Sequence, residues 1–341
     1  MSAKAIGAVV ALGVVGVGGY FAYSGLSGVQ TNLIVGEVEA FVSNLDPQAT
    51  LEYDSARSGF LSSSAEMTDV IVTLKTGDTI RADRIVGNKS GAGEIENILI
   101  SSTTGEAINI DRIIVHEVDT ENEQPTFVRV SAEGLSFEGA AAALGPQTLV
   151  FNSLGYSLDD LTVDMEFAYN FDEAAQQVNA SFSQSIAEVG GLSGEMVLGD
   201  FSSDDFSMVF ESFDADSLSD ETTALESLDA TLVSVELSYQ DDSLIPRVYD
   251  FVSAMQQVSV DEVEQMALLF VDQLKTELPD GEFRRQATTA AATFIENPKN
   301  LTLTIAPNTP VSFDSVSQDL SANSDLNDIA NAYGLSIAAN Q

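Results

Sequence analysis

One histidine, His116, and 53 Asp and Glu residues set the chemistry this chain could perform. A Ser–His–Asp triad would have to use His116, because activating a hydroxyl needs an imidazole that titrates near neutral pH. His116 lies in the alternating run Ile113-Ile-Val-His-Glu-Val, and no Gly-x-Ser-x-Gly elbow occurs anywhere. It reads as a side chain on a sheet face. One histidine and no cysteine exclude His-rich zinc or copper sites, thiolate nucleophiles, disulfides and iron–sulfur clusters. Asp214-Ala-Asp-Ser-Leu-Ser-Asp-Glu begins like a calcium loop. It then places Leu218 at the fifth position, Ser219 where the sixth requires Gly, and Leu225 at the twelfth. Asp204, Asp205, Asp214, Asp216 and Asp220 stand as weak cation candidates against the simpler reading of a solvated acidic loop. Paired carboxylates for glycoside hydrolysis carry no information when every segment offers them. No Gly-x-Gly-x-x-Gly or phosphate-binding Gly-x-x-x-x-Gly-Lys motif is present, and no cofactor is expected.

The elements around these residues are dominated by repetition. Thr76-Gly-Asp-Thr-Ile-Arg-Ala-Asp-Arg-Ile-Val recurs as Thr104-Gly-Glu-Ala-Ile-Asn-Ile-Asp-Arg-Ile-Ile, and Met67-Thr-Asp-Val-Ile-Val recurs as Ile95-Glu-Asn-Ile-Leu-Ile. Two alternating runs around Thr-Gly-acid make a β-hairpin, so the repeat predicts four consecutive antiparallel strands ending near Val118. Asp83-Arg84 and Asp111-Arg112 fall at equivalent strand ends, where they would make local ion pairs or pin the register. Phe127-Val-Arg-Val-Ser supplies a fifth strand. Gly145-Pro146 marks a break.

A second internal match joins Leu158-Asp-Asp-Leu-Thr-Val-Asp-Met-Glu-Phe-Ala-Tyr to Leu228-Asp-Ala-Thr-Leu-Val-Ser-Val-Glu-Leu-Ser-Tyr. Both read as strands closing on a Tyr and an acidic turn, with three further candidates at 178–183, 194–199 and 206–210. The period then changes. Helices are predicted over 245–257, 260–278 and 282–296, the second opened by the capping-box pair Ser259 and Glu262, before a strand from Asn300 and a short helix near 325–333. The fold class expected is α+β: an N-terminal membrane helix, a long twisted antiparallel β-sheet built from repeated hairpins, and C-terminal helices packed on the sheet. The domains expected are an anchor at 1–26, a stalk helix at 27–46, a hairpin-repeat module at 47–145 and a strand-plus-helix module at 146–341.

Lys4 precedes an uncharged stretch whose most apolar part is 5–22. That length sits at the lower limit for crossing a bilayer, and the lone preceding Lys predicts the N-terminus inside and the body exported. Small residues at Ala22 and Ser24 leave open cleavage before Gly25, which would release the body. The net charge is −40, and no Lys or Arg occurs between Arg129 and Arg247. Such a surface repels nucleic acid and anionic headgroups, so no nucleic-acid partner is expected.

Tyr53, Arg57, Gly59, Ser62 and Ser63 follow directly on the apolar stretch and its short helix. This arrangement resembles the Tyr…Arg-Gly-x-Phe-Ser-Ser pattern of the YdgA-like family of uncharacterised bacterial envelope proteins, with one residue inserted between Arg57 and Gly59. The resemblance implies a single-pass inner-membrane protein with a periplasmic β-rich body, and it brings no catalytic residue with it. The functional expectation is a non-enzymatic envelope protein that binds an apolar ligand or lipid, or scaffolds envelope components. The rival expectations are an envelope hydrolase or enzyme regulator using clustered carboxylates, and a cation-dependent surface scaffold.

Overall fold

Strands rather than helices organise this chain, in keeping with its alternating repeats. The computed structural model describes residues 35–36, 38–39, 42–43, 46–58, 64–88, 91–103, 105, 107–121, 124–138, 146–158, 160–203, 205, 230–312, 315 and 326–341. The anchor expected over 5–22 lies outside the described residues, as does most of the expected stalk helix. Among the described residues no helix is long and apolar enough to cross a membrane.

A 14-stranded antiparallel sheet is formed by β1 (Thr50–Glu52), β2 (Ser55–Ser58), β3 (Ser64–Thr73), β4 (Thr79–Asn88), β5 (Gly93–Ser101), β6 (Ala107–Glu121) and β7 (Gln124–Glu138), with β8 (Val163–Asp172), β9 (Gln177–Ile186), β10 (Gly190–Gly199), β11 (Thr231–Asp241), β12 (Asn300–Ile305), β13 (Val311–Ser312) and β14 (Ser336–Ala339). Neighbours follow chain order from β3 to β12, with β1 and β2 beside β3, β13 beside β11 and β14 beside β12. The helices are α1 (Pro146–Ser153), α2 (Leu244–Gln256), α3 (Val260–Glu277), α4 (Glu282–Glu296) and α5 (Leu326–Ala332). Two compact units are present, residues 1–170 and 171–341.

In the first unit the β3–β4 and β5–β6 hairpins turn at Thr-Gly pairs. Gly77 and Gly105 have φ of +86° and +89°, a region glycine enters without a Cβ penalty. The acid that follows Gly77 also holds the adjacent turn: Asp78 accepts the Thr103 N–H at 2.9 Å and the Thr76 hydroxyl at 2.8 Å. Those bonds hold its carboxyl below the usual carboxylate range.

Along the strands the buried positions alternate but skip once per strand. Met67 is followed by Val70, Ala82 by Ile85, Ile95 by Ile98, Ile110 by Ile113, and Ala132 by Leu135. The skips coincide across the sheet. Register places Asp69 opposite Asp83, Asp83 opposite Asn97, Asn97 opposite Asp111, and Asp111 opposite Gly134. Asp69, Asn97 and Gly134, on alternate strands, have φ of 52°, 52° and 67°. Left-handed backbone in mid-strand explains the residue types, since Asp, Asn and Gly tolerate it best. Asn97 also donates from Nδ2 to Asp83 Oδ2 at 2.8 Å. Asn97→Val is therefore expected to lower stability by about 1–2 kcal/mol, and Asn97→Gly by less, in urea titrations.

The same geometry corrects the expected position and partners of the Asp-Arg pairs. Arg84 and Arg112 sit inside β4 and β6 and not at strand ends. Arg84 reaches Glu66 on β3 at 2.8 Å and Glu96 on β5 at 2.7 Å; Arg112 reaches Glu133 on β7 and Glu94 on β5. The preceding aspartates belong to the row of skips. The ion pairs cross strands because the side chain one position past the skip faces the solvent side of both neighbours. Each is partly exposed and contributes about 0–1 kcal/mol, so their value is in register more than in stability.

In the second unit, the Tyr-and-acid ending of β11 becomes a helix start. Asp241 accepts the Tyr239 hydroxyl at 2.7 Å and the Ile245 N–H at 3.0 Å, capping α2. Ser259 and Glu262 form the reciprocal box that opens α3. Helix α4 packs on β12 and β14 and meets β11 through an edge-to-face pair of Phe294 and Tyr239.

Candidate functional site

Of the residues singled out by type, His116 and Asp205 are described and hydrogen-bonded. His116 is exposed on β6, where pairing with β7 shifts register between Val115 and Glu117. Its Nε2 lies 2.8 Å from the Ser131 hydroxyl oxygen, and Ser131 is buried. A Ser–His pair is thus brought together. Among the described residues no carboxylate hydrogen-bonds the other ring nitrogen, and the next acid, Glu117, sits opposite Arg129. Without an orienting acid the pair lacks the third member that fixes an active tautomer.

Of the cation candidates, Asp205 is described and is buried. Its carboxylate accepts the Ser202 N–H at 2.9 Å and the Ser202 hydroxyl, while its own N–H is accepted by that hydroxyl at 3.1 Å. It is engaged as a local cap. Asp204, Asp214, Asp216 and Asp220 lie outside the described residues. Of the motif residues, Tyr53 is exposed between β1 and β2, and Arg57 pairs in register with Glu66. Gly59, Ser62 and Ser63 lie outside the described residues. The long stretch without basic residues begins at Arg129, which grips Glu166 with two nitrogens at 2.9 and 3.2 Å. That carboxylate raises the already high pKa of the guanidinium.

What residue typing missed is apolar. On β9, β10 and β11, Phe182 and Leu237 stand directly opposite Gly194, with Leu192 two residues away on the same face. All three side chains are more than a third exposed. Gly194 is needed for their approach: a Cβ there would come 2.3 Å from Phe182 Cε1 and 2.9 Å from Leu237 Cδ2. The row continues by register through Leu303 on β12 to Ile337 on β14, both half-buried. The second unit therefore offers an apolar strip that runs from an open end to a covered one. Strand alternation in the sequence contains these residues, but only the register puts them in line.

Helices α2 and α3 expose a further apolar set. Phe251 and Met255 lie four apart on α2; Met266, Leu269 and Phe270 follow i, i+3, i+4 on α3. Val263 and Val271 on α3 are buried, so the apolar arc of that helix is wider than the part the fold covers. The signal was readable as an apolar arc in 260–277 broader than one buried face needs.

A family model described as an uncharacterized protein matches residues 183–340, short of half the chain and nearly all of the second unit. No curated protein matches the chain.

Proposed function

We propose that this is a non-enzymatic protein of the bacterial cell envelope, tethered to the inner membrane through residues 5–22, whose second unit holds an apolar ligand. The observation that carries the reading is the strip Phe182–Gly194–Leu237 with Leu192, left open on a chain of net charge −40. A contiguous apolar surface costs hydration free energy, about 25 cal/mol for each Å² left in water, and is kept where something covers it. A row of exposed Phe182, Leu192 and Leu237, drawn together over the buried Gly194, suits a chain-like ligand such as a lipid acyl group, which needs contact area and few polar anchors. The likeness to YdgA-like proteins at Tyr53 and Arg57 points to the same compartment.

Two measurements test this. Alkaline phosphatase fused after Gln341 should be active, since that enzyme matures outside the cytosol; an inactive but intact fusion would remove the envelope assignment. Native mass spectrometry of the full-length protein should find lipid adducts that are largely lost in Phe182→Gln/Leu237→Gln. Equal adducts in both proteins, or none in either, would remove the ligand assignment.

A further inference from the structure

The α2–α3 hairpin presents a surface that the ligand strip does not use. Leu269 and Phe270 are 67% and 62% exposed, and Met255 is 64% exposed. Exposure of this size on adjoining helices is unusual for a free surface and resembles the open side of a helix bundle. The turn between the helices is short, 257–259, so the two exposed sets belong to one supersecondary element. We infer that the α2–α3 hairpin is a docking surface for an amphipathic helix with basic flanks, supplied by another protein.

Three features select that occupant. First, exposed apolar residues at i, i+3 and i+4 on α3 and at i and i+4 on α2, two helices in contact, have the spacing that receives a third helix by ridges-into-grooves packing. The two methionines add adaptable contacts. Second, the exposed charges on the hairpin are acidic. Asp250 on α2 and Asp261 and Glu262 on α3 are exposed, while Asp272 and Lys275 offset one another at 2.6 Å and Arg247 is engaged by Glu188 at 3.7 Å. Basic flanks complement that rim and would be drawn in by the field of the whole chain. Third, the same charges argue against other occupants. A second copy would set acidic rim against acidic rim, and an anionic bilayer would be repelled.

The inference stands apart from the ligand reading because it rests on different residues. It is tested with a fluorescent amphipathic peptide of about 18 residues, leucine on one face and lysine on the other, long enough to span α3. The peptide is titrated against the full-length chain in phosphatidylcholine nanodiscs, with empty discs as blank. Leu269→Gln/Phe270→Gln removes the apolar contact and leaves the charge unchanged, so it separates docking from general attraction to an acidic protein. Binding is expected to weaken roughly tenfold or more in that variant, to persist in Phe182→Gln, and to be absent for a leucine–glutamate peptide. Should the double variant lose its native circular dichroism, Asp250→Asn/Asp261→Asn serves instead, and weaker binding is again expected. Equal binding by wild type and variants overturns the inference. Equal loss in Phe182→Gln moves the site to the sheet strip. Self-association of the wild type that the double variant abolishes assigns the face to a second copy and also overturns it.

Discussion

Met67→Asp is expected to unfold the first unit at neutral pH. Met67 is fully buried on β3, with Ala56 and Ile85 as its cross-strand partners. Met67→Ala should cost about 2–5 kcal/mol through lost contacts and the cavity left behind. The aspartate adds desolvation of a carboxylate with no cation on that face, so its penalty should exceed that range and compete with the whole stability of a domain. Burial would raise the pKa of the new carboxyl above its unfolded value of roughly 4. The charge-dependent part of the penalty is then absent below that unfolded value and grows as pH rises towards the folded one. Urea unfolding followed by circular dichroism should show the deficit of Met67→Asp against Met67→Ala narrowing from pH 7 to pH 4. A deficit independent of pH would mean that the site admits water.

The second large effect is expected at Gly334. It follows α5 with φ of +57°, and the Leu335 N–H bonds back to the Ala330 carbonyl at 2.8 Å, the long bond of a Schellman ending. A Cβ at this position would lie 2.0 Å from the Ala306 carbonyl oxygen and 2.7 Å from its carbon. Both are backbone atoms, so relief requires moving the chain just after β12, where the Ala306 N–H is bonded to the Tyr333 carbonyl at 3.0 Å. Gly334→Ala should therefore cost about 1 kcal/mol for the left-handed backbone and about 2 kcal/mol more for the collision. Gly105→Ala makes the control. Its φ is +89° but no atom lies within 4 Å of the added carbon, so only the first part should appear. Similar thermal shifts for the two variants would contradict the steric argument.

Much of the sheet was legible because its information is local. Thr-Gly-acid turns need only a glycine at positive φ, and the runs on either side of them alternate. Helices α2, α3 and α4 were legible from periodicity, and α3 from its capping box as well. The ion pairs were misplaced for a physical reason. Strands β4 and β6 extend well past the alternating core of the repeat, so Asp83 and Asp111 look terminal when they mark the skip in mid-strand. The apolar strip was hidden because Phe182, Gly194 and Leu237 come from three strands, and their alignment is a property of pairing. The hairpin surface was hidden by the opposite problem. A helix with so wide an apolar arc looks merely hydrophobic until packing shows how much of it the fold has consumed.

The row Asp69, Asp83, Asn97, Asp111 returns every 14 residues, one strand and one turn at a time. A protein with that modularity can widen in tandem: duplicating a 28-residue segment in phase would insert two strands without disturbing any existing pairing. Each such insertion would widen the sheet of the first unit by about 10 Å. The span of the first unit's sheet could then be tuned over evolutionary time by copy number.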